Sequence, residues 1–174
     1  MVTSLGHVGI VCDNFLKMRD FHTRVIGLTV TDESPEQPGC FLSGDPKNEH
    51  HQLALSQSRG PDHPNGFRPK TQGVGQISFI VRDMDVLKEL YHRVKNEGMY
   101  IRHVVTHGIS CSVYFFDPEE NNIELYYPTS FNVKQGFSRP IDPENQSNEE
   151  ILAFSQSFEE IMGPFQGAKL PVRR

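Results

Sequence analysis

One charged residue interrupts an apolar strand in the second half of the chain. The stretch YFFDPEENNIELYY, residues 114–127, is typical of a strand, a sharp turn and a second strand, and the second strand carries Glu124 between Ile123 and Leu125. Alternation along a strand places Glu124 on the face opposite to its two neighbours. An ionised carboxylate on a covered face needs a partner, and an arginine or a metal ion can supply it.

Two side chains at matching points of the sequence favour the metal ion. His7 and Gln76 each follow a glycine and precede an apolar run. If the two segments pair about a pseudo-twofold axis, an imidazole nitrogen, an amide oxygen and the carboxylate of Glu124 converge on one point. Three protein ligands leave coordination positions open for substrate or water, as catalysis requires. These residues predict a metal site made of His7, Gln76 and Glu124.

An internal repeat predicts the elements that position these residues. LGHVGIVCDNFLKMRDFHTRVIGL and VGQISFIVRDMDVLKELYHRVKNEGM each contain an apolar strand followed by a helical pattern. Asp13 and Asp83 can start the two helices, and Gly27 and Gly98 can end them. Strand-like segments follow each helix. The chain is therefore predicted to be an α+β protein.

The repeat also predicts the domain organisation. Two βαβββ modules are expected at residues 1–58 and 74–127, within a single domain at 1–127. A connector rich in Pro and Gly joins them at 59–73.

The last part of the chain, residues 128–174, lies outside the repeat. It is expected to run first as an extended surface segment and then as an amphipathic helix at about 148–162. Ser147 and Glu150 have the spacing of a capping box. The predicted apolar stripe of the helix consists of Ile151, Phe154, Phe158 and Ile161. Such a stripe packs on the body of the protein or on a second subunit, so a homodimer is one expectation.

Composition narrows the class of protein. The chain has 174 residues, a net charge of −5 and three cysteines. The charge argues against a nucleic-acid partner, and no apolar run approaches the length of a membrane span. The N-terminus lacks a signal-peptide pattern, and an odd number of cysteines is typical of a reducing compartment. We therefore expect a cytoplasmic protein.

From about Leu5 to Tyr127 the chain resembles the vicinal oxygen chelate superfamily, which includes glyoxalase I, extradiol dioxygenases and fosfomycin-resistance enzymes. LGHVGI is similar to the family's first ligand strand, and FFDPEENNIELY is similar to its closing signature. Glu120 replaces the usual turn glycine, and Asn121 is expected to take the positive φ that such a turn needs. The resemblance implies that the two modules pair into an incomplete barrel.

Within the superfamily, the chain is most similar to the catalytic domain of extradiol ring-cleaving dioxygenases. HHQLAL resembles their His-His-X-Leu-Ala segment, which implies that His51 is an acid–base catalyst. The resemblance also implies that His107 and Tyr114 contact the substrate. It further implies Fe(II) as the metal and a small aromatic molecule as the substrate.

Gln76 departs from the dioxygenase pattern, which has a second histidine ligand at this position. The exchange keeps the charge of the site but replaces a borderline nitrogen donor by a harder oxygen donor. The preference for Fe(II) then shifts toward Zn, Mn, Ni or Mg. Glyoxalase I enzymes use a glutamine ligand, but Leu53, at the position equivalent to Glu124, cannot supply their fourth ligand.

Three functions therefore stay open. The first is an extradiol-type oxygenase that acts on a catecholic substrate. The second is a metal-dependent isomerase, lyase or hydrolase without redox chemistry. The third is a protein that binds a small aromatic ligand and performs no chemistry.

The other histidines are expected to lie outside the site. His50 should alternate with His51 along a strand and face away from it. The remaining four are expected to be solvated: His22, His63, His92 and His103.

Overall fold

The structure is a computed structural model that describes residues 6–33, 38–58, 76–134 and 137–164. The predicted connector at 59–73 lies outside the described residues. The strands are β1 (Val8–Cys12), β2 (Thr29–Glu33), β3 (Gly39–Ser43), β4 (Leu53–Gln57), β5 (Ile77–Ile80), β6 (Ile101–Thr106), β7 (Ser110–Phe116), β8 (Asn122–Pro128) and β9 (Arg139–Pro140). The helices are α1 (Phe15–Asp20), which continues as a π-helical turn (Phe21–Val25), α2 (Met84–Asn96) and α3 (Asn148–Met162).

The described strands form two open sheets in which equivalent strands have the same order. The first sheet has the order β1-β4-β3-β2 and the second has the order β5-β8-β7-β6-β9. In each sheet the first strand of the module pairs in parallel with the fourth. The predicted α+β class and the two βαβββ modules are confirmed. The strand β9, from the C-terminal segment, is an addition to the second sheet.

The chain divides into two compact units. The first unit consists of Met1–Gln76, Asn96–Met99 and Phe116–Asn122, and the second of Ile77–Lys95, Tyr100–Phe115 and Ile123–Arg174. In the first unit, alternate residues of β1 and β4 are buried with one face of α1. In the second, one face of α2 and the residues Val113, Phe115, Ile123 and Leu125 are buried. The module boundaries stay a prediction.

The two helices of the repeat begin differently. Asn14, rather than Asp13, caps α1, because its side chain accepts from the backbone N–H of Lys17 at 3.1 Å. The N–H of Asp13 instead donates to the carboxylate of Glu119 at 2.9 Å. Asp83 does cap α2, since its Oδ1 accepts from the N–H of Val86 at 2.8 Å. Positive φ angles of 89° and 71° at Gly27 and Gly98 fit the predicted helix ends.

The turn between β7 and β8 is closed by the buried side chain of Asp117. Its Oδ1 accepts from the N–H groups of Glu119 and Asn121, each at 2.9 Å. The side-chain amide of Asn121 also donates to Asp117 Oδ2 at 2.9 Å. The expectation that Asn121 takes a positive φ is wrong, because Glu120 does so, with a φ of 64°. In this turn Asn121 serves as a donor to Asp117.

The C-terminal helix α3 begins with the capping box of Ser147 and Glu150. Ile151 and Phe158 are buried, whereas Phe154 and Ile161 are 37% and 68% exposed. The predicted stripe is therefore buried only in part within this chain. No helix among the described residues is both long enough and apolar enough to cross a membrane.

His22 is fully buried in the π-helical turn, so the expectation that it is solvated is wrong. Its Nδ1 lies 3.0 Å from the carbonyl oxygen of Met18 and must carry the hydrogen, because a carbonyl only accepts. Within the described residues, its Nε2 has no hydrogen-bond partner. Burial lowers the pKa of His22 below its ordinary value of 6.5, while the bond to Met18 and the charge of Asp117 oppose that shift. The neutral form is favoured in the fold.

This burial predicts a pH-dependent stability. Below about pH 6.5 the unfolded chain binds a proton at His22 that the folded chain resists, so the free energy of unfolding falls as the pH falls. The slope that one such group adds is at most about 1.4 kcal/mol per pH unit. Urea denaturation between pH 5 and pH 8 should show this slope in the wild type and its loss in His22→Asn. His92→Asn, at an exposed site on α2, is the control. Equal slopes in the wild type and His22→Asn would contradict this assignment.

Candidate metal centre and active site

Glu124 is buried in the middle of β8, with 7% of its surface exposed. Across the parallel strand pair it faces Ser78 of β5, whose hydroxyl donates to Glu124 Oε2 at 2.5 Å. A hydroxyl is a neutral donor, so this bond orients the carboxylate without neutralising its charge. A carboxylate buried in this way is a suitable ligand for a divalent cation, which compensates the hydration lost on burial.

The charge of Glu124 affects the pKa of Tyr126 on the same strand. Tyr126 lies two residues further, on the same face of β8. Burial and, after it, the charge of Glu124 raise the pKa of Tyr126 above its ordinary value of 10.0. The phenol therefore stays protonated at neutral pH.

His7 and Gln76 occupy equivalent positions in the two modules. Each residue immediately precedes the first strand of its module, and both are exposed. Their exposure suits ligands of an ion that must also receive a substrate. The convergence of His7, Gln76 and Glu124 on one ion stays a prediction.

The donor chemistry of the predicted set fits a divalent cation. Across residues 6–33, 38–58, 76–134 and 137–164, no group of three or more His, Cys, Asp or Glu side chains is placed to hold a metal ion. The predicted set is of another kind, because one of its three members is an amide. An imidazole nitrogen, an amide oxygen and a carboxylate together suit Fe(II), Mn(II) or Zn(II).

Three imidazoles cluster at one edge of the first sheet. Parallel pairing of Val8 with Leu53 brings the residues before β1 and β4 to the same edge. The ring centroids of His7 and His51 are accordingly 4.3 Å apart. The Nδ1 atoms of His50 and His51 are 2.9 Å apart. Strand alternation does not apply to residues 50 and 51, because β4 begins only at Leu53. His50 is exposed, and its orientation away from the site stays a prediction.

This cluster leaves His51 able to act as a base. When both imidazoles are neutral, one of the two Nδ1 atoms donates and the other accepts, so Nε2 is the atom of His51 left to exchange a proton with a ligand. Partial burial lowers the pKa of His51, nearby charges on His7 and His50 act in the same direction, and Glu49 opposes them. A neutral imidazole at physiological pH can accept a proton.

The hairpin of β6 and β7 brings His107 and Tyr114 together in the second unit. His107 follows β6, Tyr114 lies within β7, and both are half-buried. The Nε2 atom of His107 lies 3.2 Å from the hydroxyl oxygen of Tyr114. The other ring nitrogen, Nδ1, lies 2.8 Å from the carbonyl oxygen of Phe137. A hydrogen-bonded histidine and tyrosine can orient a polar ligand.

Sequence reasoning did not identify three residues at these places: Ser78, Phe41 and Phe137. Ser78 lies in β5 directly opposite Glu124, and its residue type alone does not identify it as a partner of that carboxylate. Phe41 of β3 contacts the rings of both His50 and His51, with centroids 5.5 and 4.7 Å apart. Phe137 contributes its main chain, which carries no signal in the residue type.

Comparisons with known proteins agree with this arrangement of elements. The sequence profile described as the Glyoxalase/Bleomycin resistance protein/Dioxygenase superfamily matches residues 4–125. The chain is 31% identical over 121 residues to biphenyl-2,3-diol 1,2-dioxygenase 3 of Rhodococcus globerulus, a match that covers 70% of this chain and 61% of that protein. It is 27% identical over 128 residues to the uncharacterized protein YwkD of Bacillus subtilis, which covers 72% and 98% of the two chains. The chain thus spans about three fifths of the length of the curated dioxygenases that it matches.

Solved structures share the fold at low identity. A variant of the fosfomycin resistance protein FosX from Listeria monocytogenes, in complex with Mn(II) and 1S,2S-dihydroxypropylphosphonic acid, has a TM-score of 0.56 and 16% identity over 75% of this chain and 94% of its own. Lactoylglutathione lyase from Agrobacterium tumefaciens has a TM-score of 0.52 and 21% identity over 72% and 94%. These structures support the vicinal oxygen chelate fold. The chain belongs to the Glyoxalase/Bleomycin resistance protein/Dioxygenase superfamily.

Proposed function

We propose that this chain is a metal-dependent oxygenase of the extradiol type. Its substrate would be a catechol or another aromatic compound with two vicinal oxygens. The observation that carries the proposal is the hydrogen-bonded pair of His107 and Tyr114, at 3.2 Å, in a chain similar to dioxygenases named for biphenyl-2,3-diol. The cytoplasmic location and a homodimer remain predictions of the same account.

A divalent cation, Fe(II) in the first place, would be held by His7, Gln76 and Glu124. When bound, it supplies Lewis-acid activation of the substrate oxygens and, as iron, the capacity to react with dioxygen. Ser78 orients Glu124 through its hydrogen bond to Oε2. A residue that orients a metal ligand is expected to contribute to the metal affinity nearly as much as the ligand itself.

Side chains of the protein would transfer protons and orient the substrate. His51 would take a proton from a substrate hydroxyl at Nε2, while His50 holds the Nδ1 side of the ring. His107 and Tyr114 would contact the substrate. Phe41, packed on His50 and His51, would hold these rings in one orientation.

One observation favours a second candidate, an enzyme without redox chemistry. Gln76 supplies a hard oxygen donor, which suits Mn(II) or Mg(II) better than it suits Fe(II). The solved FosX variant of the same fold is a complex with Mn(II). Such an isomerase, lyase or hydrolase would use His51 as its base and would need no oxygen.

Oxygen uptake distinguishes these candidates. Protein reconstituted with Fe(II) without air should consume oxygen when biphenyl-2,3-diol or catechol is added, with formation of a ring-cleavage product. His51→Ala should lower kcat by about 100-fold or more, because it removes the proton acceptor. His92→Ala, an exposed histidine, should leave kcat unchanged. Turnover without oxygen on Mn(II) or Zn(II) would favour the second candidate, and tight binding of the diol without turnover would indicate a binding protein.

Replacement of Gln76 by histidine tests whether its amide oxygen lowers the affinity for Fe(II) relative to Mn(II). Gln76→His restores a nitrogen donor, so the affinity for Fe(II) relative to Mn(II) should rise. Competition of the two ions, measured without air by elemental analysis after dialysis, gives this ratio. An unchanged ratio would contradict a role of Gln76 as a ligand.

The contact of Ser78 with Glu124 predicts that loss of the Ser78 hydroxyl weakens metal binding. Ser78→Ala should lower the affinity for a divalent cation by about 10- to 100-fold, because Glu124 loses the bond that orients it. Isothermal titration of the metal-free protein with Mn(II) measures this change. Ser56→Ala, an exposed serine on β4, is the matched control. The same affinity in Ser78→Ala as in the control would argue against a metal at Glu124.

A further inference from the structure

The chain beyond the family match, which ends at residue 125, returns to the turn that carries His107. Thr129 holds this turn at two points: its N–H donates to the carbonyl oxygen of Ile109 at 2.9 Å, and its hydroxyl donates to that of Gly108 at 2.6 Å. Both acceptors lie directly after His107. The segment that follows β8 is thus hydrogen-bonded to the β6–β7 turn through both the main chain and the side chain of Thr129.

Val133 packs so closely against the same turn that a side chain at position 108 would not fit. Gly108 has a φ of +74°, and a Cβ atom placed on it would lie 2.6 Å from Val133 Cγ2. Val133 itself is fully buried. Only glycine satisfies both the backbone angle and this contact. The C-terminal segment therefore packs closely against this turn.

Phe137 then reaches the imidazole ring of His107 directly. Its carbonyl oxygen lies 2.8 Å from His107 Nδ1. Its ring packs on the ring of Phe158, a buried residue of α3, with centroids 4.9 Å apart. α3 is in turn tied to the residue before His107, since the hydroxyls of Ser155 and Thr106 are 2.7 Å apart and both residues are fully buried.

The direction of the Phe137 contact fixes where the hydrogen of His107 resides. A carbonyl oxygen only accepts, so Nδ1 must be the donor. In the neutral ring Nε2 then has no hydrogen and accepts from the hydroxyl of Tyr114, 3.2 Å away. A phenol oxygen that donates its hydrogen has only lone pairs with which to meet a further polar group. A ligand that meets this oxygen must therefore donate, as a hydroxyl does.

We propose that the C-terminal segment, residues 128–134 and 137–164, is a positioning element of the active site. Through the carbonyl of Phe137 it holds His107 in the tautomer with the hydrogen on Nδ1, and it thereby makes Tyr114 an acceptor for a substrate hydroxyl. Phe137 is a positioning residue in this account, because it acts through His107. The proposal rests on the proposed function for the presence of a substrate hydroxyl, but its first half concerns the protein alone.

The tautomer can be observed without metal or substrate. In protein labelled with 15N-histidine, the His107 signals are identified by their absence from the spectrum of His107→Asn. At a pH where the ring is neutral, Nδ1 should have the shift of a protonated ring nitrogen and Nε2 that of an unprotonated one. The opposite assignment, or averaging of the two shifts, would overturn the proposal.

A pair of phenylalanine variants tests the role of the segment. Phe137→Ala removes the ring that packs on Phe158, so the His107 shifts should move toward averaging. Phe154→Ala removes a different ring from the same Phe158, at 5.0 Å, and should leave the shifts unchanged. With a catechol as substrate, kcat/KM should fall by up to about 100-fold in Phe137→Ala only, because misplacement of a contact residue costs rate.

The outcomes separate this proposal from the proposed function. Shifts in Phe137→Ala that match those of the wild type, with kcat/KM also unchanged, would overturn the positioning role. The expected tautomer in a protein that consumes no oxygen with any catechol would leave the positioning role in place and contradict the oxygenase. If Phe137→Ala does not fold, the tautomer of the wild type still decides whether His107 carries its hydrogen on Nδ1.

Discussion

A buried carboxylate, Glu124, is the constraint on which the rest of the site depends. Glu124 is only 7% exposed, and the hydroxyl of Ser78 donates a hydrogen bond to its Oε2 atom. The register of β8 decides whether the carboxylate faces Ser78 at all, because a shift by one residue turns every side chain to the other face. Asp117 closes the turn before β8 by accepting hydrogen bonds from the amides of that turn. The positive φ of Glu120 is part of the same closure.

The duplicated module explains why potential ligands occur at strand ends. Parallel pairing of the first and fourth strands brings the residues before those strands to one edge, and in the first unit this edge holds His7 and His51. In the second unit the same pairing sets Ser78 opposite Glu124. One topology, used twice, therefore provides an imidazole cluster in one unit and an oriented carboxylate in the other.

Sequence reasoning predicted the parts of this structure that follow from periodicity and local chemistry. The two modules, the glycines that end their helices and the capping box at Ser147 are of this kind. It failed where neighbours distant in the sequence decide the outcome. His22 was expected in solvent, yet a π-helical turn places it in the core. His50 and His51 were expected to alternate along a strand, yet β4 begins only at Leu53.

The contact of Phe137 with His107 shows a limit of a different kind. A main-chain carbonyl has the same chemistry in every residue, so nothing in the sequence distinguishes the one that lies near an imidazole. Only the course of the chain after β8 makes it a partner of His107. The segment outside the family match was expected to run along the surface, and it also supports a turn that carries a candidate catalytic residue.

Elemental analysis of the protein purified without oxygen tests the central claim, that Glu124 holds a divalent metal. The account predicts a near-stoichiometric divalent metal in the wild type and in Glu160→Ala, which changes an exposed glutamate of α3, and its loss in Glu124→Ala. Iron would support the oxygenase, and manganese, zinc or nickel would support the enzyme without redox chemistry. No metal in any of the three proteins after reconstitution without air, or an equal amount in all of them, would contradict the account.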